Sequence, residues 1–392
     1  MSSRPLVLIP TLEYLSWPLF ERLLPLLDEA APLVVRFEDP YSLRQPLPPA
    51  PIPRLVADRF EDVAAPVRSN RLLGLFALAR TVRRTLERLD PVAVAAPSDA
   101  SFVTATANDW AAARGIPFVV IQPSNIEKQA KPGARARLTA LADAALGLPL
   151  FLPNRLFGSR HPHNRVLLWG EHFARFYDGL SMHRPVVCGN PLLDALPAGP
   201  LAFPAGPKTV LIATEALSGR TRTAGGKNLE QTYAALIRRC PDIRFVVKVH
   251  PRSSAEALRH ELGQQARDAP NYRVVRDASL TDLLAESHLH LSAFSSTAIE
   301  ALSAGRPTIR LRLAASPFDE SLLEDPAIAC ATGVAELEGV VRRLLVPRHA
   351  RQYLARTRPF LLSRIGFDDG QSATRMADHL RRAVSCFPLE AE

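Results

Sequence analysis

Between Phe245 and Leu311 short β-branched runs and helix-period stretches take turns without a gap, and this alternation constrains the fold more than any other feature. FVVKVHPRSS opens the stretch as an apolar run ending in Lys248, His250 and Pro251. It closes with HLHLSAFSSTAIEALSAGRPTIRL. The closing half predicts a buried strand over His288–Ser292, a small-residue loop over Ala293–Ser296, a helix over Thr297–Ala304, a stop at Gly305 and a strand from Pro307. Ser295 or Ser296 suits the N-cap, Ile299 and Leu302 keep helical spacing, and Gly305 suits the left-handed position beyond the last turn. The first turn then presents unpaired backbone N–H groups beside the Ser295, Ser296 and Thr297 hydroxyls, where an anion is stabilised. Glu300, one turn in, is placed to accept sugar hydroxyls beyond a bound phosphate. An isolated S-S-T more often only caps a helix, with Glu300 solvated, so the surroundings decide the matter.

His250 falls at the carboxyl end of its own strand, where Pro251 ends the ladder and turns the chain outward. An imidazole there donates to phosphoryl oxygen, and Lys248 and Arg252 add positive field. His250 and the serine loop are separated by strand, helix, strand, helix and strand, so both open onto the same sheet edge.

The rest of the chain repeats the pattern. Leu6–Pro10 and Leu33–Phe37 read as strands, with the loop Thr11–Ser16 and a helix around Pro18–Asp28 between them. Pro46–Pro53 is too Pro-dense for helix or central strand. Arg68–Leu89 is a long helical pattern whose apolar stripe runs through Leu72, Leu75, Phe76, Ala79, Val82 and Leu86, with Arg71, Arg80, Arg83, Arg84 and Arg88 elsewhere. Such a helix packs its stripe on a sheet, and its basic face also suits an anionic membrane surface. Val92–Ala95, Phe118–Ile121, Ala144–Leu148, Val166–Trp169 and Val186–Cys188 read as further strands. PAGPLAFPAGP, Pro197–Pro207, has no periodicity and reads as a linker. Beyond it the expected elements are Thr209–Ala213, the Gly-rich loop Ser218–Lys227 with Arg220 and Arg222, a helix over Leu229–Cys240, and a terminal helix over Gln371–Phe387.

With 392 residues the chain exceeds one ordinary core. The expectation is two Rossmann-like, doubly wound parallel-sheet α/β domains: residues 1–196, a linker over 197–207, residues 208–370, and a C-terminal helix over 371–392. Ligands of such sheets bind at the carboxyl ends of strands. No apolar run approaches the roughly 20 residues of a spanning helix, and MSSRPLVLIP lacks a signal-peptide layout, so a cytoplasmic protein is expected. The formal charge of +9 points to an anionic partner. No RNP-like, zinc-finger or helix-turn-helix signature accompanies it, which argues against specific nucleic-acid binding. Cys188, Cys240, Cys330 and Cys386 have no C-x-x-C spacing and read as free thiols. The pairs His161/His163 and His288/His290 have no third ligand nearby, so no metal site is expected.

K-x-H-P at Lys248–Pro251, followed by S-S-x-x-x-E-A-x-x-x-G-x-P from Ser295, resembles the nucleotide-binding half of GT-B glycosyltransferases of bacterial surface polysaccharides. Within that group the motifs are similar to those of capsule-type sialyl- and Kdo-transferases, which carry HP and SS motifs, and of CDP-glycerol glycerophosphotransferases. Two fragments agree: Trp169-Gly170 before C-G-N-P-L-L-D at Cys188–Asp194, and D-G-Q-S-A-T-R-M-A at Asp369–Ala377. The likeness covers most of residues 165–385. It implies that the first domain takes a glycan or lipid-linked acceptor and the second a CMP-, CDP- or UDP-linked sugar. It also implies that His250, Ser295 and Ser296 hold the donor phosphate and Glu300 the ribose. Donor binding would need no metal and no cofactor beyond the nucleotide sugar. The implied setting is capsule or lipopolysaccharide synthesis at the inner face of the membrane.

An inverting transfer needs a base on the first domain. Where many such enzymes carry His-Gly after the strand at Phe118–Ile121, this chain has Gln122-Pro123. Asp39, Asp99 and Glu13 lie on first-domain loops at strand ends and are the candidates. A UDP-N-acetylglucosamine 2-epimerase-like enzyme, a glycerophosphotransferase and a non-catalytic polysaccharide-assembly protein are the alternative readings.

Overall fold

A computed structural model describes residues 4–11, 13–40, 51–65, 67–124, 126, 134–150, 157–178, 185–196, 200–215, 228–251, 253–266, 269–293, 295–312 and 320–385. The chain divides into two compact units, Met1–Asp194 with Asp369–Glu392, and Ala195–Asp368. In the first unit the order is β1 (Leu6–Leu8), α1 (Glu13–Leu23), β2 (Pro32–Phe37), α2 (Arg54–Ala57), β3 (Phe60–Val63), α3 (Arg71–Leu89) and β4 (Ala93–Ala96). It continues with α4 (Phe102–Ala112), β5 (Phe118–Ile121), α5 (Ala134–Leu146), β6 (Arg165–Leu168), α6 (Glu171–Ala174) and β7 (Val186–Val187). The second unit contains β8 (Thr209–Ala213), α7 (Leu229–Arg239), β9 (Arg244–Lys248), α8 (Ala255–Gln265), β10 (Tyr272–Val275) and α9 (Leu280–Ala285). Then follow β11 (Leu289–Ser292), α10 (Thr297–Ser303), β12 (Thr308–Leu311), β13 (Ala329–Ala331), α11 (Val334–Leu344) and α12 (Pro347–Ile365). The chain returns to the first unit with α13 (Ser372–Ser385).

The strand orders are β3-β2-β1-β4-β5-β6-β7 and β10-β9-β8-β11-β12-β13, and all neighbouring strands pair in parallel. Both sheets therefore reverse winding beside their first strand, at β1/β4 and β8/β11, the position where open sheets leave a crevice for ligand. Every residue of the central strands β4, β5, β8 and β11 is buried because helices cover both faces, which is why their sequences are mainly apolar.

Some expectations change. Helix α1 starts at Glu13 and carries Pro18 inside it, so the helix begins within the predicted loop and Glu13 lies in its first turn. Ala144–Leu148 is not a strand: Ala144 and Leu146 end α5, because an alanine-rich run carries no β preference. Strand β3, FEDV, is polar and lies at the sheet edge, which hides it from a hydrophobic count. On α3 the buried residues are Gly74, Leu78, Ala79, Val82, Thr85 and Leu86, whereas Leu72 and Phe76, assigned above to the apolar stripe, are exposed. The core contact is carried by the second half of that helix.

The two fragments flanking the motif region meet inside the first unit. Asp194 accepts the N–H groups of Ser372 (3.2 Å) and Ala373 (2.7 Å) and so caps α13. Arg375 donates Nε to the Cys188 carbonyl (2.8 Å) and forks onto Asp369 with two bonds of 2.8 Å. That fork holds the Asp369 carboxyl down at about 2. Gly189 has φ +96°, and a Cβ there would lie 2.3 Å from Ser372 Oγ. C-G-N-P-L-L-D and D-G-Q-S-A-T-R together form one structural lock.

The expected linker, where described, is built into the second unit. Arg306 is fully buried and donates to the carbonyls of Leu284 (2.8 Å), Leu201 (2.9 Å) and Ala202 (2.7 Å), with its guanidinium over the Phe203 ring. Desolvation lowers the Arg306 pKa, and three carbonyl dipoles and the ring face supply the compensation. Gly305 has φ +72° as its helix-end position predicts, and its Cβ would meet Pro200 at 2.5 Å.

Candidate functional site: the carboxyl edge of the second sheet

β8 ends at Ala213, and the next two residues tie together the loops on either side of it. Thr214 Oγ1 accepts the His250 N–H at 3.0 Å and donates to the Lys248 carbonyl at 3.2 Å. Glu215, buried, accepts the Ala293 N–H at 2.5 Å on one carboxylate oxygen and the Tyr233 hydroxyl at 3.3 Å on the other. The His250 turn after β9 and the serine loop after β11 are thereby held on opposite sides of β8. Two strand spacings separate them, about 10 Å. Sequence reading passed over Thr214 and Glu215, although an abrupt Thr-Glu after the apolar run TVLIA at a strand's carboxyl end was a usable signal.

The serine loop differs from a simple cap. Ser296 is the N-cap of α10 but makes no side-chain capping bond. Ser295 Oγ instead accepts from Thr297, both from its N–H (3.3 Å) and from its hydroxyl (2.9 Å). Ser295, Ser296 and Thr297 are all partly exposed. Glu300 is on the same short helix. Desolvation pushes its carboxyl up to about 7, against the opposing pull of the Lys248 ammonium.

Lys248 does not extend freely into the edge. Its ammonium donates to the carbonyls of Arg276 (3.2 Å) and Ala278 (2.8 Å), and burial lowers its pKa while Asp277 and Glu300 counteract. Pro251 is exposed, and its carbonyl accepts from Arg276 at 3.3 Å. Arg252, and with it Arg220, Arg222 and Lys227 of the Gly-rich loop, lies outside the described residues.

The first-unit candidates occupy three different settings. Asp99 is buried with Oδ1 on the Gly158 N–H (2.9 Å) and Oδ2 on the Arg160 N–H (3.1 Å), and desolvation raises its pKa. It staples the chain segment before β6 to the end of β4. Glu13 accepts from Arg36 at 2.9 Å, and Arg36 also binds Asp62. Asp39 follows β2 and is partly exposed. Gln122 is fully buried: Oε1 accepts the Trp169 N–H (2.8 Å), its carbonyl accepts the Trp169 indole (2.9 Å), and Nε2 donates to Ser124 (2.9 Å). It laces the end of β5 to the end of β6. Asp109 binds Arg160 and His161, each at 2.7 Å; burial pushes its carboxyl up, and these bonds outweigh it and leave it low. Among the described residues no group of three His, Cys, Asp or Glu side chains is arranged to hold a metal ion, and no helix is long and apolar enough to cross a membrane.

Among solved structures, a UDP-N-acetylglucosamine 2-epimerase is similar over 100% of this chain and 99% of its own, with 13% identity and a TM-score of 0.63. The chain has the GT-B fold. The glycotransferase of kitacinnamycin is similar over 97% and 99% of the two chains, with 17% identity and a TM-score of 0.58. A UGT transferase from Siraitia grosvenorii, in complex with UDP, is similar over 96% and 99%, with 14% identity and a TM-score of 0.55. No family model matches the chain, and no curated protein matches it. GT-B architecture is thus shared across transferases and an epimerase, so chemistry must be argued from the site.

Proposed function

We propose that this chain is a metal-independent glycosyltransferase using a nucleotide-activated sugar, with the second unit on the donor side and the first on the acceptor side. The observation that carries this reading is the double tie from the end of β8, which fixes His250 and the Ser295 loop at one switch-point edge. A gap of about two strand spacings suits the extended phosphate and sugar portion of a nucleotide-activated sugar better than a lone phosphate ion. In this reading His250, Ser295 and Ser296 contact phosphate and Glu300 the ribose. Lys248, bonded to two carbonyls, supports the edge by its charge and not by direct contact. The nucleotide leaves as an acceptor hydroxyl attacks the sugar's anomeric carbon, and the hydroxyl proton passes to a carboxylate acting as general base. Asp99 is buried with both oxygens on backbone N–H groups, and we assign the base to Asp39, a partly exposed carboxylate just beyond the carboxyl end of β2. The solved UDP complex among the similar structures supports UDP as the first nucleotide to try.

Calorimetry with CMP, CDP and UDP tests the reading. One of them is expected to bind, and His250→Ala or Ser295→Ala to weaken it roughly tenfold each, about 1.5 kcal/mol for a lost charge-assisted bond. Binding by none of the three sinks the proposal. Asp39→Asn is expected to leave nucleotide affinity unchanged while transfer to acceptor falls by about 100-fold or more. Conversion of a UDP-sugar without any acceptor would favour the epimerase reading instead, which the similarity to a 2-epimerase supports.

We further infer that the first unit meets an anionic bilayer through α3. Leu72, Leu73 and Phe76 are 50%, 62% and 42% exposed, and Arg80 and Arg84 continue the Phe76 face at four-residue spacing. Apolar side chains insert while arginines meet lipid phosphate, each worth about 1 kcal/mol near such a surface. The protein is expected to co-sediment with phosphatidylglycerol-containing vesicles. Leu73→Glu/Phe76→Glu should reduce that partition about tenfold or more. Equal partition of wild type and variant, or of wild type onto purely zwitterionic vesicles, goes against the inference.

A further inference from the structure

His290 sits fully buried in the middle of β11, a position where an apolar residue would pack without desolvating two ring nitrogens. Desolvation pushes its pKa down to about 3, so the ring is neutral, with hydrogen on one nitrogen and a lone pair on the other. Nε2 lies 3.0 Å from Thr297 Oγ1, and Thr297 Oγ1 donates to Ser295 Oγ at 2.9 Å. A threonine hydroxyl has one proton. Since that proton goes to Ser295, the threonine oxygen receives its bond from His290, and the hydrogen of the ring must be on Nε2. Consistently, Nδ1 has no hydrogen-bond partner among the described residues. Ser295 Oγ also receives the Thr297 N–H at 3.3 Å. With two donors on its oxygen, Ser295 has its own proton left for a third group, and successive donation strengthens it as a donor.

We propose that His290 and Thr297 are positioning residues which fix the Ser295 hydroxyl as a hydrogen-bond donor toward a phosphate oxygen of the bound nucleotide. The inference rests on the nucleotide reading above. It gives a polar side chain in the core of a sheet a function at the edge. It also makes a directional claim: the chain runs from imidazole to threonine to serine to ligand, with every proton pointing outward. A serine free to rotate would present lone pairs to the phosphate part of the time; here the donating orientation is set before the ligand arrives.

The test uses the full chain and calorimetry with whichever of CMP, CDP or UDP binds the wild type. Thr297→Val keeps the shape and the N–H but removes the hydroxyl, and is expected to weaken binding about tenfold. Thr297→Ser should restore affinity to within about twofold. In a Ser295→Ala background, Thr297→Val should cause no further loss, because the chain then has no end to act through. Long-range proton–nitrogen spectra of the free protein should show His290 as the Nε2–H tautomer. An equal loss from Thr297→Val with and without the Ser295 hydroxyl overturns the proposal, as does an Nδ1–H tautomer. Failure of the wild type to bind all three nucleotides removes the nucleotide reading and the proposal with it. The tautomer, read without ligand, tells that case apart from failure of the chain alone.

Discussion

Gly189→Ala is expected to destabilise the first unit by up to about 3 kcal/mol, the sum of roughly 1–2 for an alanine at positive φ and about 1 for the disturbed cap of α13. The added methyl would lie 2.3 Å from Ser372 Oγ and 2.9 Å from Ser372 Cβ. Ser372 cannot retreat without moving the first turn of α13, whose N–H groups are held by Asp194. The midpoint of thermal unfolding should fall by about 6–12 °C. Ser372→Gly in the same chain removes the side chain that is struck and should recover about half of the loss, leaving the backbone strain. If the double variant is no more stable than Gly189→Ala alone, the steric account is wrong. Acid should weaken the same lock. The folded Asp369 pKa of about 2 is depressed below the ordinary carboxylate value, so its contribution is present above that value and is lost as pH falls toward 2.

Glu300→Gln is expected to do the opposite to stability and to weaken binding. The Glu300 carboxyl is raised from 4.5 to about 7. The folded protein therefore retains a proton that the unfolded chain releases from about pH 4.5 upward, and stability declines as pH rises through that window. Above pH 7 the whole penalty is present. Discounted for the partial exposure of the side chain, it amounts to about 2 kcal/mol. Glutamine has no charge to desolvate, so the variant should be about 2 kcal/mol more stable than wild type at pH 8 and indistinguishable from it near pH 4. Nucleotide affinity should fall about tenfold at pH 8, because an amide offers one acceptor oxygen to two ribose hydroxyls. Wild-type affinity should itself rise as pH passes 7 while that of Glu300→Gln stays flat. Denaturation at the two pH values and calorimetry across the range check both halves. A variant that gains no stability at pH 8 would show that the carboxylate is not desolvated.

The alternation of strand and helix was legible because it comes from burial on two faces. Phe118–Ile121 and Thr209–Ala213 are strands at the predicted residues, each a β-rich run. Gly305 was legible too, since a left-handed residue before a proline-led strand leaves few choices. The sequence reading failed where periodicity says little. FEDV forms an edge strand without an apolar face, and the alanine-rich run at Ala144 belongs to a helix.

What the sequence by itself determined was the repeated α/β pattern and the position of His250 and the serine loop after strands of one sheet. What only the tertiary structure decided was the occupation of each polar side chain. Asp99, Gln122, Lys248 and Asp194 all lie near strand or helix ends, and each is bonded to backbone groups that would otherwise be left without partners. Glu215, passed over in a linear reading, and His290, weighed there only as a metal ligand, are the groups that hold and orient the edge. The physical reason is that buried backbone N–H and C=O groups must be satisfied by whichever side chain reaches them. Reach across 59 residues from Asp99 to Gly158, or 78 from Glu215 to Ala293, is a property of the folded chain.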